Sequence, residues 1–174
     1  MKRILSVVCC VALCSIAALA QKKEAKGMSD QQFVDFAAQT DMVEANLGQL
    51  AQDAASSQSV KDYGQMLTTD HTNDYHQLYD AAHQSNLNVP DAIDTENNKT
   101  MIGPFQKLKG EAFDHRYIAD MVAGHTKAIA IYKKEAADAE SQAIKSYAQA
   151  TLPTLEKHLD GAKNLEKKPG KAEK

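Results

Sequence analysis

Cysteine occurs only at Cys9, Cys10 and Cys14, all within the first twenty residues. That segment, MKRILSVVCCVALCSIAALA, joins Lys2 and Arg3 to an apolar run and ends in Ala18-Leu19-Ala20, the pattern of a secretory signal with a small-residue cleavage site. The pattern predicts a mature chain that starts at Gln21, is exported, and resides in the periplasm or against the cell envelope. Lipid anchoring is disfavoured, because the residues before the cysteines are Val8, Cys9 and Leu13 and none is small in the way a lipoprotein signal requires. A mature chain without cysteine has no disulfide and no thiol chemistry. Any metal site in it must be built from His, Asp and Glu, which suits hard and borderline ions.

Other absences narrow the field further. No later apolar run approaches the roughly 18 residues of a membrane span, so no transmembrane helix is expected in the mature chain. Loss of Lys2 and Arg3 moves the net charge from −3 to −5, which argues against nucleic acid as a partner. Val, Ile and aromatic alternation, the mark of strands, is scarce, while Ala, Gln, Lys, Glu and Leu abound. There is no G-x-S-x-G, no H-E-x-x-H and no phosphate-binding glycine loop, so ordinary hydrolase or nucleotide chemistry has no support.

What remains is helix almost throughout. The composition predicts polar arms over 21–28 and 167–174 around one domain at 29–166. Helix one is expected from Asp30 to Ala55, opened by a capping box of Ser29 and Gln32, with the stripe Phe33, Ala37, Thr40, Glu44, Leu47, Ala51, Ala54. Helix two follows a short SSQS turn, capped by Ser57 or Ser59, with the stripe Val60, Gly64, Leu67, His71, Asp74, Leu78, Ala81. Asn, Asp and Pro signals between Gln84 and Gly110 predict a long connection, with KTMIGPFQKLKG as a short helix inside it. Helix three is expected over Glu111–Ala137, with the stripe Asp114, Ile118, Met121, His125, Ala128, Tyr132. Helix four is expected over Gln142–Glu166, with the stripe Ile144, Ala148, Thr151, Leu155, His158, Ala162, Leu165 and a kink at Pro153. The fold class is therefore all-α. Two antiparallel pairs joined by one long connection between helices two and three predict a four-helix bundle, either with a ferritin-like crossover or plainly up-and-down.

Each stripe carries a polar group near its middle: Glu44, His71, His125 and His158. Glu44 stands 13 residues before Ser57 and His71 stands 14 after it, so at about 1.5 Å per residue they share a height. His125 stands 15 before Glu140 and His158 18 after it, an offset of about 4.5 Å. Four buried titratable groups are costly without an ion or a complete hydrogen-bond network. The set therefore predicts one divalent metal ion, Zn, Fe, Mn or Cu, held by Glu44, His71, His125 and His158. Asp74, one turn beyond His71, is the candidate acceptor for an imidazole N–H, or a fifth ligand. Asp70 is expected at the surface and Asp114 as a cap of its own helix, while His76, His83 and His115 fall off the stripes. A di-iron centre is disfavoured, because the residues three before the stripe histidines are Thr68, Val122 and Leu155 and not Glu.

The segments FAAQTDMVEANLGQLA, VKDYGQMLTTDH, LKGEAFDHRYIADMVAGH and YAQATLPTLEKHL, in this order after a signal-like leader, resemble the bacterial secreted family catalogued as domain of unknown function 4142. The resemblance runs from about Asp30 to Leu165. It implies a ferritin-like bundle in the cell envelope and no established reaction. Two roles fit the residues: a module that buffers, carries or senses a metal ion, and a structural or stress-related envelope protein whose His and Glu layer only fixes helix packing. A metal-dependent oxidoreductase is a weaker third, since four protein ligands leave little room for substrate.

Overall fold

The computed structural model describes residues 27–167; the expected leader over 1–20, most of the arm after it and nearly all of the tail lie outside them. Among the described residues every regular element is helical. The α-helices are α1 (Asp30–Ala54), α2 (Gln58–Gln84), α3 (Thr95–Asn97), α4 (Gly110–Asp138) and α5 (Gln142–Lys167). Five helices therefore stand where four were expected. The extra one, α3, is a single turn that winds on through a π turn at Asn98–Ile102 and a 3-10 turn at Gly103–Phe105. This helical passage starts four residues before the expected Lys99, because Asp94 caps it by accepting from the Asn97 backbone N–H at 2.7 Å. The four long helices begin and end within a residue of expectation, and α5 runs unbroken through Pro153.

Chemistry local to each end explains the boundaries. Ser29 and Gln32 form the capping box of α1. At the end of α2, Asn86 takes φ 54, and the N–H groups of Asn86 and Leu87 return to the carbonyls of His83 and Ala82, a Schellman close with Asn in the left-handed position. The start of α2 is capped from outside: Asp114, expected to serve its own helix, accepts from the N–H groups of Ser56 and Ser57 and from the Ser56 hydroxyl. Asp30 does the same for the α4–α5 turn, accepting from the N–H groups of Glu140 and Ser141.

These ties fix direction. The start of α1 lies at the start of α5 through Asp30 and Ser141, and the end of α2 meets the same place through Ser85 and Ser141. The start of α4 lies at the α1–α2 turn. Hence α1 and α5 run one way and α2 and α4 the other, and the segment from Ser85 to Lys109 must travel the length of the molecule. It does so along α1. Gln31 exchanges two hydrogen bonds with the Asn88 backbone, and Gln39, two turns on, pairs with the Ala92 carbonyl and the Asp94 N–H. Two amide side chains thus satisfy backbone groups at Asn88, Ala92 and Asp94, in a segment with no regular structure of its own.

The interior comes as two apolar clusters. One gathers Phe33, Leu78, Tyr132 and Ile144 at the end where α1 begins; the other gathers Leu47, Leu67, Phe113, Tyr117 and Met121 toward its far end. Between them lies a layer of buried polar side chains: Asp41, Glu44, His71, Asp74, His125, Thr151 and His158. α1 and α2 cross closely beside it. A Cβ on Gly48 would stand 2.5 Å from the Gly64 carbonyl oxygen, so glycine is required at the crossing.

Candidate metal centre

The histidines reach the layer by helical spacing alone. His71 is one turn past Leu67, His125 one turn past Met121 and His158 one turn before Ala162, all apolar and buried, so each ring points where its neighbours point. They are 2%, 2% and 1% exposed, and their ring centroids lie 5.2 to 5.8 Å apart. Each ring offers a nitrogen such that all three lie within 4.8 Å of one another, a grouping able to hold a metal ion.

One nitrogen of each ring is already engaged. His71 Nδ1 meets Asp41 Oδ1 at 2.9 Å, His125 Nδ1 meets the Met121 carbonyl at 2.9 Å, and His158 Nε2 meets Asp70 Oδ2 at 2.9 Å. A carbonyl or carboxylate oxygen accepts, so the engaged nitrogen carries the proton in each case. The nitrogens left with no partner are His71 Nε2, His125 Nε2 and His158 Nδ1. In a neutral imidazole these are the lone-pair atoms, and lone pairs cannot satisfy one another. A tetrahedral ion at about 2.0–2.1 Å from three nitrogens would hold them about 3.4 Å apart, closer than the 4.8 Å within which they lie, so the rings would have to draw together on binding.

The electrostatics favour neutral rings at two of the three positions. Burial lowers His125 to about 3, helped by the charges of His71 and His158. Burial also lowers His158, to about 4, against the hydrogen bond that His158 donates to Asp70. At His71 burial pulls down, but the hydrogen bond and charge of Asp41, with Glu44 and Asp74 behind it, raise the net value above 6.5. Asp41 and Glu44 are both pushed up to about 7 by burial, with His71 opposing.

The carboxylates are arranged differently from the expectation. Glu44 is not in the three-histidine grouping; it is buried close enough for its charge to bear on His71, and its Oε2 has no partner. Asp74 does not reach an imidazole N–H: its two oxygens accept from the Tyr147 and Thr151 hydroxyls. Asp41 takes the place expected of Asp74. Asp70, expected at the surface, is half-buried on His158. His76, His83 and His115 are exposed, as their spacing implies. Asp41 lies with Val34, Ala38 and Gly48 in a second buried row beside the expected stripe, a signal the single stripe did not include.

An all-α protein with three buried imidazoles poised around one point is the class that fold and site define. The chain belongs to the family described as Domain of unknown function (DUF4142), whose match covers residues 16–165. No curated protein and no solved structure matches it.

Proposed function

We propose that the domain is a ferritin-like four-helix bundle that binds a single divalent metal ion, Zn, Fe, Mn or Cu, through His71, His125 and His158, with Glu44 near enough to complete the coordination. The ion is buffered, carried or sensed by a protein exported to the periplasm or envelope. The observation that carries the reading is the set of partnerless nitrogens: three on three helices, each with its opposite nitrogen committed to an oxygen acceptor. Hydrogen bonding that fixes the tautomer from behind is how metal-binding histidines are held. The parallel run of α2 and α4, joined by a connection along the whole molecule, supports the ferritin-like description, since one long crossover distinguishes those bundles from up-and-down ones. Export rests on the signal-like leader in the sequence. The competing role is a metal-free layer that only sets helix register.

The test is the metal content of protein recovered from its native compartment without a histidine tag, followed by calorimetric titration of stripped protein with Zn, Cu, Mn and Fe. We expect one equivalent in the wild type, affinity lower by at least tenfold in His125→Ala, and wild-type binding in His76→Ala, which alters an exposed ring. Equal affinity in wild type and His125→Ala rejects the site.

A further inference from the structure

A cavity of about 380 Å³ opens over Glu44 between α1, α4 and the crossing segment. Thr40, Val43 and Gly124, the residues immediately before Asp41, Glu44 and His125, line it together with Glu44 itself. The cavity therefore sits directly against the polar layer. Glu44 belongs to both: the residue is buried in the layer, lines the cavity and bears electrostatically on His71. Gly124 leaves the approach open, because a Cβ there would have only Glu44 Oε1 within 4 Å, at 3.5 Å.

We propose that this cavity is the port through which a divalent cation reaches and leaves the three imidazoles, and that the Glu44 carboxylate is its transit ligand. This rests on the three-histidine reading of the centre. A hydrated cation cannot enter a close-packed core with its water shell, and must exchange water for protein oxygen stepwise. At about 30 Å³ per water, the cavity has room for a hydrated ion at its floor, where a carboxylate oxygen can replace one water before imidazole nitrogen replaces the rest. Asp35 and Asp94 at its wall add negative charge, and the exposed Lys127 opposes them, so the field at the mouth is adjustable.

The experiment is stopped-flow loading of stripped protein with Zn²⁺ and release of Zn²⁺ to a chromophoric chelator. Gly124→Leu fills the floor from a helical position that also favours Leu over Gly. We expect it to slow loading and release together by tenfold or more, with Kd unchanged within about twofold, as a blocked path must. Lys127→Glu should speed loading severalfold at low salt and lose the effect at high salt. Ala119→Leu, in the separate 450 Å³ cavity near the α1–α2 turn, should match the wild type. Wild-type loading rates in Gly124→Leu overturn the port while leaving the centre standing. Should Gly124→Leu not fold, unchanged low-salt loading in Lys127→Glu overturns the port in its place. A wild type that binds no Zn²⁺ overturns the centre and the port together.

Discussion

A histidine can ligate with either ring nitrogen, and the partner of the other nitrogen decides which. At His71 that partner is a carboxylate, Asp41, 1% exposed. The pairing makes His71 the ring for which a proton competes most strongly with a metal, because Asp41 holds its pKa above 6.5 while His125 and His158 sit at about 3 and about 4. Ligand imidazoles bind metal in the neutral form. Metal affinity should therefore fall as pH drops through a value above 6.5, with one proton taken up per ion lost. In Asp41→Asn the carboxylate that raises His71 is gone and burial pulls its pKa down, so the midpoint should move to lower pH. Binding isotherms across pH 5–8 check this, and a midpoint that stays put or rises in Asp41→Asn rejects the pairing. The three rings were visible in the sequence because each sits on an apolar stripe whose period is fixed by the helix. Asp41 was hidden because a single stripe read in steps of four and three is narrower than the buried face of a helix packed on two neighbours, which also takes in Val34, Ala38 and Gly48. Asp70 was hidden because its role depends on α5 arriving beside α2, which no local pattern records.

Helix boundaries were legible almost to the residue, since capping, turn and proline signals are local; the exceptions are instructive at the scale of elements. Asp114 and Asp30 each cap a turn of the other helical pair, a tertiary use of a residue type that sequence assigns to its own helix. The glycines tell a similar story. Gly48, Gly64 and Gly124 all lie inside helices, where glycine costs about 1 kcal/mol relative to alanine, yet their surroundings differ. A Cβ on Gly48 meets the Gly64 carbonyl at 2.5 Å and Thr68 Oγ1 at 2.7 Å, whereas one on Gly124 makes only an ordinary 3.5 Å contact. Gly48→Ala must push α1 and α2 apart and should destabilise by about 2 kcal/mol. Gly124→Ala meets no such obstacle and should stabilise by up to about 1 kcal/mol. Urea unfolding of the two variants checks the contrast, and equal effects would show that the crossing is looser than described.

Across the whole molecule the two halves repeat. The same 84 residues separate Asp30 from Asp114, Ser57 from Ser141, Tyr63 from Tyr147 and Asp74 from His158, and the contacts repeat with them: Tyr63 donates to the His158 carbonyl and Tyr147 to the Asp74 carboxylate. The repeat changes chemistry in the polar layer, where Asp41 corresponds to His125, His71 to Leu155 and Asp74 to His158. The imidazoles come from both halves, His71 from the first and His125 and His158 from the second, so they depart from the shared pattern at three positions, and their thermodynamic cost can be tested there. His125 and His158 have folded pKa values depressed below 6.5, so the unfolded chain takes up their protons first as pH falls. Above pH 6.5 the shifts leave stability unaffected; below it stability is lost progressively as pH drops toward 4, by up to about 3 kcal/mol per pH unit for the two together. In the double variant His125→Leu with His158→Leu that loss is removed, no acceptor is stranded in the core, since Asp70 is half-buried and Met121 keeps its helical role, and two apolar side chains fill the gap. The metal-free double variant should therefore melt above the metal-free wild type at pH 7 and by a widening margin toward pH 5, while losing the rise in melting temperature that an ion bound only to the folded state confers on the wild type. A layer kept only to set helix register predicts the reverse: a lower melting temperature at pH 7 in the variant, and no effect of metal on either protein.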